Sequence, residues 1–215
     1  MTQNLLSLTL SALALLMCIG PANAQQWYAV EVIIFSESGG GDGESNVGLG
    51  EGSPSVGRAV GLGPPASSYD SPRPFQRIAR DELQLTAELA ELQGSRRYRP
   101  LLHVGWYQPG FNRKGAKPVR LRSRGQVVDG VVSLARERYL HLSVDLSYAG
   151  FQAGGVPGGA RSRLKQRRRM RSRELHYLDH PRFGMLVQAT PFDGGTNNAS
   201  GVPPAVPGTE RKPSE

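Results

Sequence analysis

The stretch LHLSVDLSY, Leu140–Tyr148, constrains this chain more than any other. Leu140, Leu142, Val144, Leu146 and Tyr148 alternate with His141, Ser143, Asp145 and Ser147. Only a β-strand, whose successive side chains point to opposite faces, sorts this pattern into one apolar and one polar side. The preceding GVVSLAR continues the pattern and predicts a hairpin partner. A chain built around such a strand needs a sheet with one face on a core and one in water.

The segment RSRLKQRRRMRSR, Arg161–Arg173, carries the same period in charge. Every odd position is Arg or Lys, while Leu164 and Met170 fall in the even set. A helix would scatter those cations around its circumference; a strand lines them up on one face, with Arg168 as the exception. Like charges two strand residues apart sit about 6.6 Å from one another. In water each such pair repels by roughly 0.6 kcal/mol, less in salt. Burying a Leu or Met behind the row returns about 1.5–3 kcal/mol, so the strand tolerates its charges even without a partner. RLRSRG repeats the alternation at Arg120, Arg122 and Arg124.

Elsewhere the chain separates into ordered and Gly-rich parts. WYAVEVIIF, Trp27–Phe35, reads as a buried first strand, and YRPLLHVGWYQPG as another. RDELQLTAELAELQG predicts the principal helix, near residues 79–93, with Leu85, Leu89 and Leu92 on one face and Gly94 as its stop. LDHP predicts a turn ordered by Asp179 with His176 and His180 beside it, and Phe183–Thr190 a last strand. Residues 36–70 and 150–160, rich in Gly, Ser and Pro, read as a flexible insertion and a loop. From residue 192 the tail has lost its large apolar residues and reads as disordered. The expected fold is α+β: one domain over residues 25–191, mostly antiparallel sheet with one principal helix.

The N-terminus bears on compartment. LLSLTLSALALLMCIG, followed by Pro21 and Ala22-Asn23-Ala24, has the layout of a secretory signal peptide, residues 1–24, cut after Ala24. The competing reading is a retained membrane anchor, for which the run is somewhat short. Cys18, the one cysteine, lies inside it with Met17 where a lipobox wants a small residue. The expected mature chain is exported, has no stable membrane span and holds no thiol for disulfides or zinc. A formal charge of +8, from 26 Lys and Arg against 18 Asp and Glu, favours an anionic partner. Export makes nucleic acid the wrong one.

The candidate binding residues are Arg163, Lys165, Arg167, Arg169, Arg171 and Arg173, with Tyr177, Trp106 and Tyr107 as platforms. Arg answers carboxylates with paired charge-assisted hydrogen bonds, and the aromatics can stack on sugars. Beside this stands the plainer reading of a solvated face and ordinary aromatic packing. No metal is expected, because His176, Asp179 and His180 fit no zinc spacing. No catalytic residues, cofactor or enzyme activity is expected: the sequence has no GxSxG and no paired catalytic carboxylates.

WYAVEVIIF, LLHVGWYQP, DGVVSLARERYLHLSVDL and RRRMRSRELHYLDHPRFGMLVQATP together resemble the CsiV family, periplasmic peptidoglycan-binding proteins named for cell-shape integrity. The resemblance implies a non-enzymatic role in a Gram-negative envelope: binding peptidoglycan and supporting the wall-synthesis machinery, with a cell-wall synthase or its activator as protein partner. The cationic face leaves two alternatives, an adaptor for another envelope protein and a binder of phosphate-bearing lipid.

Overall fold

The computed structural model describes residues 25–38, 53–66, 72–151 and 157–192, and the expectations for residues 1–24 and 193–215 lie outside these. Ten strands form two sheets, with one α-helix against the larger. The strands are β1 (Trp27–Glu37), β2 (Gly63–Ala66), β3 (Gln76–Ile78), β4 (Tyr98–Pro109), β5 (Val119–Arg122), β6 (Val128–Arg136), β7 (Leu140–Phe151), β8 (Pro157–Met170), β9 (His176–His180) and β10 (Phe183–Phe192). Helix α1 is Thr86–Gly94. The six-stranded sheet runs β2-β3-β4-β1-β10-β9, and the four-stranded sheet β5-β6-β7-β8. Every named pairing is antiparallel except β2 with β3. The fold is therefore the expected α+β class with mostly antiparallel sheet.

Strand β1 is apolar on both faces because both are covered. Val30, Val32 and Ile34 join Leu142, Val144, Leu146, Leu164 and Met170 in the core between the sheets. Ile33 and Phe35 face the other way, against Leu85, Leu89 and Leu92 of the helical segment. The three leucines thus share one face, as their spacing predicts.

The helix begins later than residue 79. Arg80–Glu82 forms a separate 3-10 turn, Leu83 is extended, and α1 starts at Thr86. Glu31 on β1 sets that start: its carboxylate accepts the amides of Gln84 at 2.8 Å and Leu85 at 2.9 Å. An acid from a distant strand thus fills the capping role at the start of the helix.

Three other expectations are corrected. His176, Asp179 and His180 lie on strand β9, not in a turn, because His176, Leu178 and His180 alternate inward against β10. The turn is Pro181-Arg182, and its Arg182 amide is accepted by His180 Nδ1 at 3.2 Å. Part of the 36–70 insertion is regular: it contains β2, and Val60 bridges Val119 at the edge of the smaller sheet. The ends of the Gly-rich 150–160 segment are strand, since β7 reaches Phe151 and β8 starts at Pro157, and residues 152–156 lie outside the described ones.

Gly130 permits the close pairing of β6 and β7. A Cβ there would meet the Asp145 carbonyl oxygen and lie 2.7 Å from the Leu146 Cα, both backbone atoms that cannot swing aside. Gly130→Ala should cost about 2–3 kcal/mol of unfolding free energy, read from urea denaturation. An unchanged midpoint would contradict this packing.

Candidate functional site

The site is the outer face of the four-stranded sheet, and pairing of β8 with β7 creates it. The register sets Arg169 beside His141, Arg167 beside Ser143, Lys165 beside Asp145 and Arg163 beside Ser147. Their even-numbered neighbours Ser162, Leu164 and Met170 are buried beneath. Strand β7 passes the pattern on to β6, where Ser133 lies opposite Ser143 and Asp129 opposite Ser147. Arg120 and Arg122 of β5 join the face opposite Val131 and Asp129. The two alternating basic runs therefore decorate one surface.

The row's exception also has a structural reason. Arg168 Nη1 donates to the Tyr177 carbonyl at 2.6 Å, and Gln166 Nε2 to the Asp179 carbonyl at 3.2 Å. These two even-numbered side chains cross to the outer edge of β9 and tie together the edges of the two sheets.

Charge on the face is unevenly compensated. Arg163 makes a paired contact with Asp145, both N–O distances being 2.8 Å. Arg120 makes the same contact with Asp129 at 3.0 and 2.9 Å, and Arg122 approaches that carboxylate at 3.8 Å. Hydrogen bonding from Arg120 holds the Asp129 carboxyl below its ordinary range, against the opposing effect of burial. Toward the β6–β7 turn the strands of this face carry no further acid, and Glu137 in the turn itself is engaged by Arg113 and lies 3.8 Å from His141. Lys165, Arg167 and Arg169 are exposed and make no ion pair among the described residues.

Arg167 and Arg169 border a groove of about 490 Å³ floored by Ser133, Ser143 and His141, with Arg113 on its far side, and Lys165 borders the hollow beside it. A neighbouring hollow of about 620 Å³ shares Ser133, Ser143 and Arg167, so the depression runs on along the sheet. Arg113 Nη2 is 3.3 Å from His141 Nδ1, and its Nε is 3.2 Å from Glu137. At the groove's end the Arg169 guanidinium lies 4.6 Å from the ring centre of Tyr139, which is 38% exposed. Guanidinium and ammonium groups over serine hydroxyls, closed by an aromatic ring, suit a ligand with carboxylates and sugar hydroxyls.

The structure divides the expected site residues. Arg163, Lys165, Arg167 and Arg169 share the face, with Arg163 engaged by Asp145. Arg171 and Arg173 leave the row, because β8 loses its partner at the Met170–Leu140 pair. Arg171 pairs with Glu174, and Arg173 occupies a turn at φ 65° with its amide bonded to the Ala189 carbonyl.

Trp106 and Tyr107 are 0% and 2% exposed, which removes them as platforms. Trp106 donates to Gln108 between the sheets, while Tyr107 packs on Phe192 and donates to Glu82. Tyr177 is exposed, but its ring stacks on Phe35 on the outer face of the larger sheet and points away from the basic face. Its hydroxyl donates to Asp179 at 2.6 Å, so Asp179 serves a side chain there and not turn amides. Among the described residues no three His, Cys, Asp or Glu side chains group to hold a metal ion. Arg113, Ser133 and Ser143 enter the site through topology alone: Arg113 sits in an aperiodic loop, and isolated serines carry no signal.

The Asp129 pairing predicts acid sensitivity. A carboxyl whose folded pKa is depressed adds stability above its unfolded pKa, near 4, and loses it as pH falls through the lower folded value. Thermal melts of wild type should therefore drop as the pH is lowered below about 4, and Asp129→Asn should flatten that limb. Parallel acid limbs in the two proteins would contradict the pairing.

Comparison with known families matches residues 45–192, more than half of the 215-residue chain, to the family described as "Peptidoglycan-binding protein, CsiV". The match spans β2 to β10, including every strand of the basic face. No curated protein and no solved structure gives a significant match. The chain belongs to the CsiV family of peptidoglycan-binding proteins.

Proposed function

We propose that this protein binds peptidoglycan without catalysing a reaction on it, through the outer face of the β5-β6-β7-β8 sheet. The observation that carries this reading is the trio Lys165, Arg167 and Arg169. Three cations on one strand face lack acid partners among the described residues and overlook Ser133 and Ser143. A wall fragment offers stem-peptide carboxylates to the cations and sugar hydroxyls to the serines. Exposed guanidinium–carboxylate pairs are individually weak, so several must act together, and salt must weaken the result. Tyr139, held against Arg169, offers a sugar-sized apolar surface at the groove's end.

The family description supports the ligand class. The A-x-A site behind the apolar N-terminal run supports a periplasmic setting after removal of residues 1–24. In that setting the protein acts as an accessory to wall synthesis and cell shape, with a synthase or its activator as protein partner. Cleavage after Ala24 would remove the apolar leader, and none of the described helices is long and apolar enough to cross a membrane.

Purified sacculi test the reading. Replacing Lys165, Arg167 and Arg169 with Gln should lower retention about tenfold or more at low salt. Tyr177→Ala, on the outer face of the larger sheet, should leave retention unchanged. Equal retention of the triple variant and wild type, or loss on Tyr177→Ala alone, would move the binding surface elsewhere.

A further inference from the structure

A second groove, of about 620 Å³, runs along β4 on the side away from β1. Four consecutive β4 residues, Leu102 to Gly105, line it. Successive strand residues point to opposite faces, so four in a row can line one groove only if it follows the strand's edge. That edge is open. Strand β3 meets β4 at the single register pair Arg77–Trp106, and no strand among the described residues lies beside Tyr98–Val104 on that side. The uncovered stretch is seven residues, roughly 23 Å at strand rise.

The groove's charge is one-sided. Arg77, Arg80, Arg120 and Arg122 all border it, above a floor that includes the buried Ile78 and Leu121. Arg120 and Arg122 are already engaged by Asp129. Arg77 and Arg80 are exposed and make no ion pair among the described residues. An open edge beside apolar side chains is a template for strand addition, and Pro100, which has no N–H to donate, blunts it only near the Tyr98 end, leaving Leu101–Val104. Here the flanking arginines repel basic segments and admit acidic ones.

We propose that the β4 edge binds an extended acidic segment of a partner protein by strand addition, separately from the peptidoglycan face. Backbone hydrogen bonds from the edge supply the register. Alternate apolar side chains of the segment meet the floor, and its carboxylates meet Arg77 and Arg80. The surface lies at the β2-β3-β4 end of the larger sheet and borders the peptidoglycan face only at Arg120 and Arg122, which Asp129 holds, whereas the cations proposed for peptidoglycan lie on β8 at the other side of the smaller sheet.

The test uses the full chain and a fluorescent seven-residue peptide of alternating Val and Glu, capped at both ends. Saturable anisotropy binding is expected, with amide-exchange protection confined to Tyr98–Val104. Arg77→Gln with Arg80→Gln should weaken binding about tenfold, as should N-methylation of alternate peptide amides, which removes ladder donors without altering the protein. The Lys165, Arg167 and Arg169 to Gln variant should bind the peptide normally, which separates failure here from failure of the peptidoglycan reading. Absence of binding at millimolar peptide, equal binding of a Val–Lys peptide, indifference to N-methylation, or dependence on Arg167 and Arg169 would each overturn the proposal.

Discussion

The antiparallel register between β7 and β8 is the constraint on which the rest of this structure depends. It places Leu140, Leu142, Val144 and Leu146 opposite Met170, Arg168, Gln166 and Leu164 on the core side. The same pairing sets the odd-numbered cations against His141, Ser143, Asp145 and Ser147 outside. A slip of one residue would drive five cations into the core and expose the leucines, so burial holds the charged row in place. The charge is a consequence of packing, and repulsion within the row is small beside the apolar area it covers.

Two carboxylates then decide where the face is reactive. Asp129 and Asp145 engage Arg120, Arg122 and Arg163 at one end and convert that half into an ordered surface with most of its charge compensated. Beyond Lys165 the described strands of this face carry no acid, Glu137 in the β6–β7 turn is taken by Arg113, and the sheet surface sinks into the Ser133–Ser143 groove. Binding capacity follows from that gradient. A uniformly paired face would be merely soluble, and a uniformly unpaired one would attract any polyanion. The family match and the groove meet on the same strands, β5 to β8.

Periodic features were legible in the sequence; long-range ones were not. The alternation in LHLSVDLSY and in the Arg run, and the leucine face of α1, each reduce to neighbours within one element, and each is seen in the structure. Residue Arg168 looked like an irregularity until β9's carbonyls appeared beside it. The helix start could not be read because its cap, Glu31, is 54 residues from Leu85. Strand β9 hid behind Asp179, His180 and Pro181, although the inward set His176, Leu178 and His180 already has strand period. Trp106 and Tyr107 show the limit for single aromatics: sequence places them on a strand, but only the packing of sheet on sheet and of Phe192 on Tyr107 tells that both are covered.

The most direct measurement of the central claim is amide chemical-shift mapping of the labelled protein titrated with soluble peptidoglycan fragments. Shifts should cluster on Ser133, His141, Ser143, Lys165, Arg167 and Arg169, with the α1 side silent. Shifts centred instead on Tyr177, Phe35 and α1, with the outer strands of the smaller sheet unmoved, would contradict it.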